Sequence, residues 1–193
     1  GKVEAQNFVK PITARIAVPV ASIHKTPKPD ATQISQALFG EACDVFEKRN
    51  GWAWVKLKRD GCVGYVQEHD LGAPIIPTHF VSNISTILFA SADHKSQPSQ
   101  SLALNSEVAV SHMQGAYACL DTGGAVHVSH LSALGSHENN FVAVAERFLN
   151  VPYYWGGKTH SGIDCSGLVQ ISLQASGIEV PRDSDMQEKS LGV

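Results

Sequence analysis

The chain of 193 residues is short of charge, of clustered basic residues, of long apolar runs and of paired cysteine motifs. Charged residues make up 17% and the formal net charge is -3. The lysines and arginines are scattered without a dense run, which argues against nucleic acid as a partner. No run of about 18 apolar residues occurs, so no membrane span is expected. The opening "GKVEAQNFVK" lacks the apolar core of a signal peptide, as an already processed chain also would. Cys43, Cys62, Cys119 and Cys165 are separated by 18, 56 and 45 residues, which fits no C-x-x-C metal or redox motif. Cys43 and Cys62 could form a disulfide in an oxidising compartment. The plainer reading makes three of the four small apolar fillers on strands, reduced in the cell.

What is present is apolar content, 43% of the residues, enough for a packed globular protein of two or three small units. The first half reads as β structure. In "EACDVFEKRNGWAWVKLKRDGCVGYV" the dipeptides Asn50-Gly51 and Asp60-Gly61 tolerate positive φ and mark hairpin turns. Between them Ala53, Val55 and Leu57 alternate with Trp52, Trp54 and Lys56, the period of a half-buried strand.

The pattern then recurs, with 18–71 laid over 81–134. "GEACDV" (40–45) matches "NSEVAV" (105–110), "GWAWV" (51–55) matches "GAYACL" (115–120) with Trp52 over Tyr117, and "GYV" (64–66) is laid on "VHV" (126–128). The repeat implies two copies of a small five- or six-stranded unit. Strands this short close into barrels, which removes exposed edges. The expected division is an N-terminal segment 1–14, barrels over 15–74 and 75–135 joined by the proline-marked "APIIPTHF" (73–80), and a unit of different character over 136–193.

In that last unit Phe141, Ala145, Phe148 and Leu149 fall at i, i+4, i+7 and i+8, which predicts an amphipathic helix capped by Ser136 and halted by Pro152. A glycine-rich turn, "YYWGGKTHSGID", leads to a second helix from about Cys165 to Ser176. Its stripe is Cys165, Leu168, Val169, Ser172 and Leu173, with Gly177 as the stop.

Cys165 follows Asp164, the expected N-cap, and so stands at the first or second helical position. A thiol must ionise before it attacks a carbonyl. Unpaired backbone N–H groups and the dipole at a helix N-terminus favour the anion, and the same N–H groups can hold a developing oxyanion.

The run "VPYYWGGKTHSGIDCSGLVQISLQASGIEVPRDSDMQ" resembles the NlpC-type family of bacterial cell-wall cysteine peptidases. It shares P-Y-x-W-G-G, D-C-S-G-L-V, G-I and P-R-x-S-x-x-Q in that order. The two preceding repeats look like bacterial SH3-like barrels. The resemblance implies an α+β chain: two SH3-like β-barrels followed by the helical N-terminal part of a papain-like cysteine peptidase domain. It implies Cys165 as nucleophile, Tyr153 beside the thiol, and Asp164, Ser166, Arg182 and Ser184 as substrate-binding residues. Arg182 has a rival role, tying its loop down through salt bridges. Tyr154 and Trp155 are expected to pack, and Gly156 and Gly157 to shape the backbone.

The family takes its general base, a histidine, from strands well after the cysteine, but 28 residues follow Cys165 and none is histidine. His160 lies too close in sequence to leave room for a residue that orients its ring. His127, His130 and Cys119 show unusual spacing for a metal site. The expectation is a piece of a longer enzyme, truncated before its catalytic histidine. The implied activity is hydrolysis of the peptidoglycan stem peptide between γ-D-glutamate and diaminopimelate or lysine, without metal or cofactor. Its partners would be stem peptides or muropeptides, and a missing C-terminal fragment or a second copy could cover the helices. The rivals are a cell-wall binding module with an inactive catalytic half, and an amidase or acyltransferase on the same fold. The sequence does not choose between cytoplasm and periplasm or exterior of a bacterium.

Overall fold

A computed structural model describes residues 9–191. Most of the expected segment 1–14 therefore lies outside the described residues, and its end is already strand. The first unit contains β1 (Ile12–Ile16), β2 (Val20–His24), β3 (Gln33–Leu38), β4 (Ala42–Arg49), β5 (Trp52–Leu57), β6 (Val63–Gln67) and, after a 3-10 turn over Glu68–Asp70, β7 (Leu71–Gly72). They pair antiparallel in the order β3-β2-β6-β5-β4-β1-β7. Asn50 and Gly51 take φ of 52° and 78°, which turns β4 into β5 with the twist a hairpin needs. The alternation holds over 53–57, with Ala53, Val55 and Leu57 buried while Trp54 and Lys56 face out, but Trp52 at the head of the strand is buried too. With Ile16, Ile23, Cys43 and Val66 they form one core, so the sheet folds round a single apolar centre.

The second unit contains β8 (His79–Val81), β9 (Ser85–Phe89), β10 (Pro98–Ala103), β11 (Glu107–Val108), β12 (Val110–Gln114), β13 (Tyr117–Leu120), β14 (Ala125–His127) and, after a 3-10 turn over Val128–His130, β15 (Leu131–Ala133). Five strands run β10-β9-β14-β13-β12 and three run β11-β8-β15. The repeat is visible in the register. Trp52 pairs with Arg49 and Gln67, as Tyr117 pairs with Gln114 and His127. Gly40 and Asn105, matched in sequence, both have positive φ, 82° and 68°. One match is corrected. Val66 faces Ala53 as Val126 faces Ala118, so "GYV" corresponds to "GAV" (124–126) rather than to "VHV". The strand ladder fixes this registration, which short sequence words could not.

The two units touch through backbone. Glu107 N–H donates to Phe39 O at 2.8 Å, and a Cβ on Gly40 would lie 1.9 Å from Glu107 O, so only glycine fits there. Arg59 donates to Asn105 O at 3.2 Å and pairs with Glu107.

The remainder carries α1 (Phe141–Glu146), the short hairpin β16 (Lys158–Thr159) and β17 (Gly162–Ile163), α2 (Cys165–Ala175) and α3 (Ser184–Leu191). Asn140, not Ser136, caps α1, accepting Val142 N–H at 3.0 Å and Ala143 N–H at 3.2 Å. The helix stops at Glu146, before Leu149, and a turn carries the chain to Asn150 at φ 69°. The hairpin and α3 have no counterpart in the sequence reading: the first is two residues a side, and α3 buries only Gln187.

The expected apolar stripes are corrected too. Phe148 is buried with Val144, but Phe141 is 47% exposed and Leu149 more so. On α2 the buried ridge is Gly167, Ile171 and Ala175; of the expected stripe Ser172 is buried and Leu168 packs partly on the core, while Cys165 and Val169 lie open. The reason is the neighbour. Small residues let α2 close on the β units, and Leu38, Ala103 and Leu104 from those units join Val144, Phe148, Ile163, Ile171 and Ala175 in one core. A buried phenylalanine such as Phe148 contributes about 1.5–3 kcal/mol there. The described chain is thus mostly β, with a few helices at one end.

Candidate active site

Cys165 is the first residue of α2 and is exposed, whereas Ser166 and Gly167 behind it are buried. Asp164 is the N-cap, as expected, with φ -98° and ψ 176°; its Oδ1 accepts Gly167 N–H at 2.7 Å. A Cβ on Gly167 would lie 2.3 Å from Gly157 O, and one on Gly157 would lie 2.5 Å from Gly162 O. The Gly-Gly turn, the hairpin and the start of the helix are therefore in backbone contact. Gly156, at φ 76°, makes the bend and donates its N–H to Asp164 Oδ2 at 2.8 Å.

Arg182 completes this arrangement. Its Nη2 donates to Asp164 Oδ2 at 2.7 Å, its Nη1 to Ser166 Oγ at 2.7 Å, and its Nε to Ser35 Oγ in β3 at 3.0 Å. Burial pushes the Asp164 carboxyl up. The hydrogen bond from Arg182, the Gly167 N–H, the guanidinium charge and the Gly156 N–H outweigh burial and hold it below the usual carboxylate range. Asp164, Ser166 and Arg182 are only 6%, 8% and 5% exposed. Their side chains face one another and hold the turn together, which is the rival reading of Arg182. Gln187 adds to it, donating to Ser166 O and Pro181 O, both at 2.9 Å.

Tyr153 and Ser184 stand differently. Tyr153 is 66% exposed and bridges in parallel to Ile163, two residues before the thiol. Ser184 is exposed at the first residue of α3. Tyr154 and Trp155, expected to pack, are also exposed, tethered through Gln33: its Nε2 donates to Trp155 O at 2.8 Å, and its Oε1 accepts the Tyr154 hydroxyl at 3.5 Å. Gln33, Ser35 and Gln36 escaped sequence reasoning. Their signal was present in "QISQAL", a strand with polar residues on both faces.

Among the described residues no histidine is hydrogen-bonded to Cys165. His160 is half-buried, its Nδ1 enclosed without a partner, and burial lowers its pKa. His127 Nδ1 accepts Ser129 N–H at 3.3 Å and His130 Nδ1 meets Thr86 Oγ1 at 2.8 Å, which occupies one nitrogen of each ring. No cluster of three metal-binding side chains occurs among the described residues. The four cysteines are free, Cys43 buried and Cys62 partly so. Cys62 lies in the turn before β6, not on a strand. In the first unit Trp52 is buried, edge-on to His24 at 5.2 Å, and lines with Trp54 and Tyr65 a cavity of about 290 Å³ that Pro27 and Arg49 also border.

Residues 150–192 match the sequence model of the NlpC/P60 family, and residues 23–71 that of the bacterial dipeptidyl-peptidase Sh3 domain. A gamma-D-glutamyl-L-lysine dipeptidyl-peptidase of Bacillus cereus is 27% identical over 180 residues, covering 81% of this chain and 54% of that protein. The gamma-DL-glutamyl hydrolase of Bacillus subtilis is 52% identical over 48 residues, 24% of this chain and 12% of that protein. The chain thus spans about half of the first relative and far less of the second. Among solved structures, an NlpC/P60 family protein from Bacillus cereus superposes with a TM-score of 0.77 at 19% identity, over 92% of this chain and 77% of that one. An NlpC/P60 endopeptidase from Photobacterium damselae gives 0.67 at 16% identity, over 91% and 45%. The chain is therefore similar to NlpC-type peptidases that carry an SH3 domain.

Proposed function

We propose that this NlpC-type, SH3-bearing chain is the greater part of a peptidoglycan endopeptidase that opens stem-peptide amides through Cys165. The observation that carries the reading is an exposed thiol at the first residue of a capped helix, within the segment that matches the NlpC/P60 family. The name of the Bacillus cereus relative supports a bond after γ-D-glutamate and before lysine, or diaminopimelate in its place.

The thiolate attacks the amide carbonyl carbon, and the oxyanion is held by N–H groups at the start of α2. The C–N bond breaks as the protonated base gives its proton to the leaving amine. Water, deprotonated by the same base, then cleaves the thioester and frees Cys165. Tyr153 and Ser184, both exposed, meet the substrate; Asp164, Ser166 and Arg182 hold the turn from behind. The base is a histidine outside these 193 residues. The exposed apolar residues Phe141, Val142, Leu149 and Val169 support this, since a covering layer that brings the histidine would also bury them. The two β units, 15–74 and 75–135, are SH3-like barrels, and 136–193 is the first half of the peptidase domain.

A second reading, a wall-binding module without catalysis, draws on the lack, among the described residues, of a histidine bonded to Cys165. The test is incubation of the protein, with whatever sequence continues it in its gene, with a γ-D-glutamyl-lysine or -diaminopimelate muropeptide and mass readout. Cleavage that disappears in Cys165→Ala supports the peptidase. Intact substrate with retained binding supports the module.

A further inference from the structure

Strand β3 turns polar side chains towards the nucleophile's turn. Ser35 and Gln36 are buried, and Gln33 is half-buried. Gln36 Oε1 accepts Lys158 N–H at 2.9 Å, on the hairpin before Cys165, and Ser35 Oγ accepts Arg182 Nε–H at 3.0 Å. A second contact comes from the turn after β5. Asp60 Oδ2 accepts Gln170 Nε2–H at 3.1 Å, on the helix that carries Cys165, and lies 3.7 Å from Lys158 Nζ. The Asp60 and Lys158 side chains are 0% and 1% exposed. Asp60 Oδ1 is occupied by Cys62 N–H at 2.9 Å. Enclosing an ammonium and a carboxylate together is often no more stable than packing apolar side chains of the same volume. Stability alone therefore does not account for the pair.

We infer that Ser35 and Asp60, in the first β unit, are positioning residues for Cys165. Ser35 acts through Arg182 on the Asp164 cap; Asp60 acts through Lys158 and Gln170 on the hairpin and helix that flank the thiol. The inference rests on Cys165 being the nucleophile of the proposed hydrolase. It means that the first β unit is part of the support for the chemistry and not only an attached module.

The test uses the 193-residue chain and needs no substrate. Ser35→Ala removes one hydroxyl. Asp60→Asn combined with Lys158→Met removes both buried charges at little change of volume. Thr26→Ala, on an exposed loop, is the control. Amide hydrogen exchange is followed together with carboxamidomethylation of Cys165 by iodoacetamide, mapped by peptide mass. Exchange at the Gly156 and Gly167 amides should rise about tenfold in both variants, the equivalent of about 1.4 kcal/mol. Alkylation of Cys165 should slow by a similar factor, while amides in β4 and β13 keep their protection. Unchanged exchange at Gly156 and Gly167, or a rise shared by every strand, overturns the inference. If the double variant does not fold, Ser35→Ala decides alone. If this pattern is seen, and the protein together with the sequence that continues it in its gene cleaves no muropeptide, the positioning stands and only the hydrolase reading is lost.

Discussion

Arg182→Met is the most direct probe of the turn that carries Cys165. It removes three hydrogen bonds, to Asp164 at 2.7 Å, Ser166 at 2.7 Å and Ser35 at 3.0 Å. The two hydroxyls lose little, because Ser166 Oγ also reaches Asp164 Oδ1 at 3.4 Å and Ser35 Oγ reaches Gln36 O at 3.3 Å. Asp164 bears the cost. Breaking a buried ion pair by removing one partner costs about 3–5 kcal/mol. Asp164 keeps the Gly156 and Gly167 N–H donors, at 2.8 and 2.7 Å, which places the expected loss at the low end, about 3 kcal/mol. The sign of the pH dependence follows. Wild-type Asp164 is held below its unfolded value of about 3.9, so its contribution is present above that pH and fades as pH falls through the lower folded value. In the variant burial is no longer opposed by the guanidinium, and Asp164 takes up its proton at a higher pH. The gap between the two proteins should therefore be widest near neutral pH and narrow on acidification. Urea denaturation of both proteins across a pH series measures it. A loss under about 1 kcal/mol at pH 7, or one that grows as pH falls, refutes the idea of a charged hub behind Cys165.

Three further outcomes are expected. Gly40→Ala puts a Cβ 1.9 Å from Glu107 O at a φ of 82°, and should cost at least about 2 kcal/mol by thermal melting; an unchanged melt would mean that the two β units do not meet there. Phe148→Ala should cost about 3–5 kcal/mol and Phe141→Ala about 1 kcal/mol or less, a contrast that equal losses would contradict. Burial, aided by Glu41 and Asp44 at Cys43 and by Asp60 at Cys62, pushes both thiols up to about 11. About one in a thousand is then ionised at pH 8, so iodoacetamide should label exposed Cys165 well before either, and early labelling of Cys62 on peptide mapping would count against this burial.

Local chemistry was readable in one dimension. Asp164 before Cys165 announced the cap, Asn50-Gly51 announced the hairpin, and the alternation of Ala53, Val55 and Leu57 announced the inward face, because each depends on residues within a few positions of one another. The repeat set Gly40 against Asn105, and the structure adds that both take positive φ. The α1 cap was misplaced because Ser136 and Asn140 are both good caps and helix length is set by what covers the helix. The stripes on α1 and α2 were misassigned because the apolar residues offer more than one face, and contact with Leu38, Ala103 and Leu104 selects which is buried. The same holds at the site. That a cysteine follows an N-cap aspartate at the mouth of a helix was written in the order D-C-S-G. That Asp164, Ser166 and Arg182 turn inward, that Ser35 of β3 reaches Arg182, and that Asp60 in the turn after β5 reaches Gln170, each across more than a hundred residues, emerged from packing alone, since hydrogen bonds across such separations leave no periodic mark in the sequence.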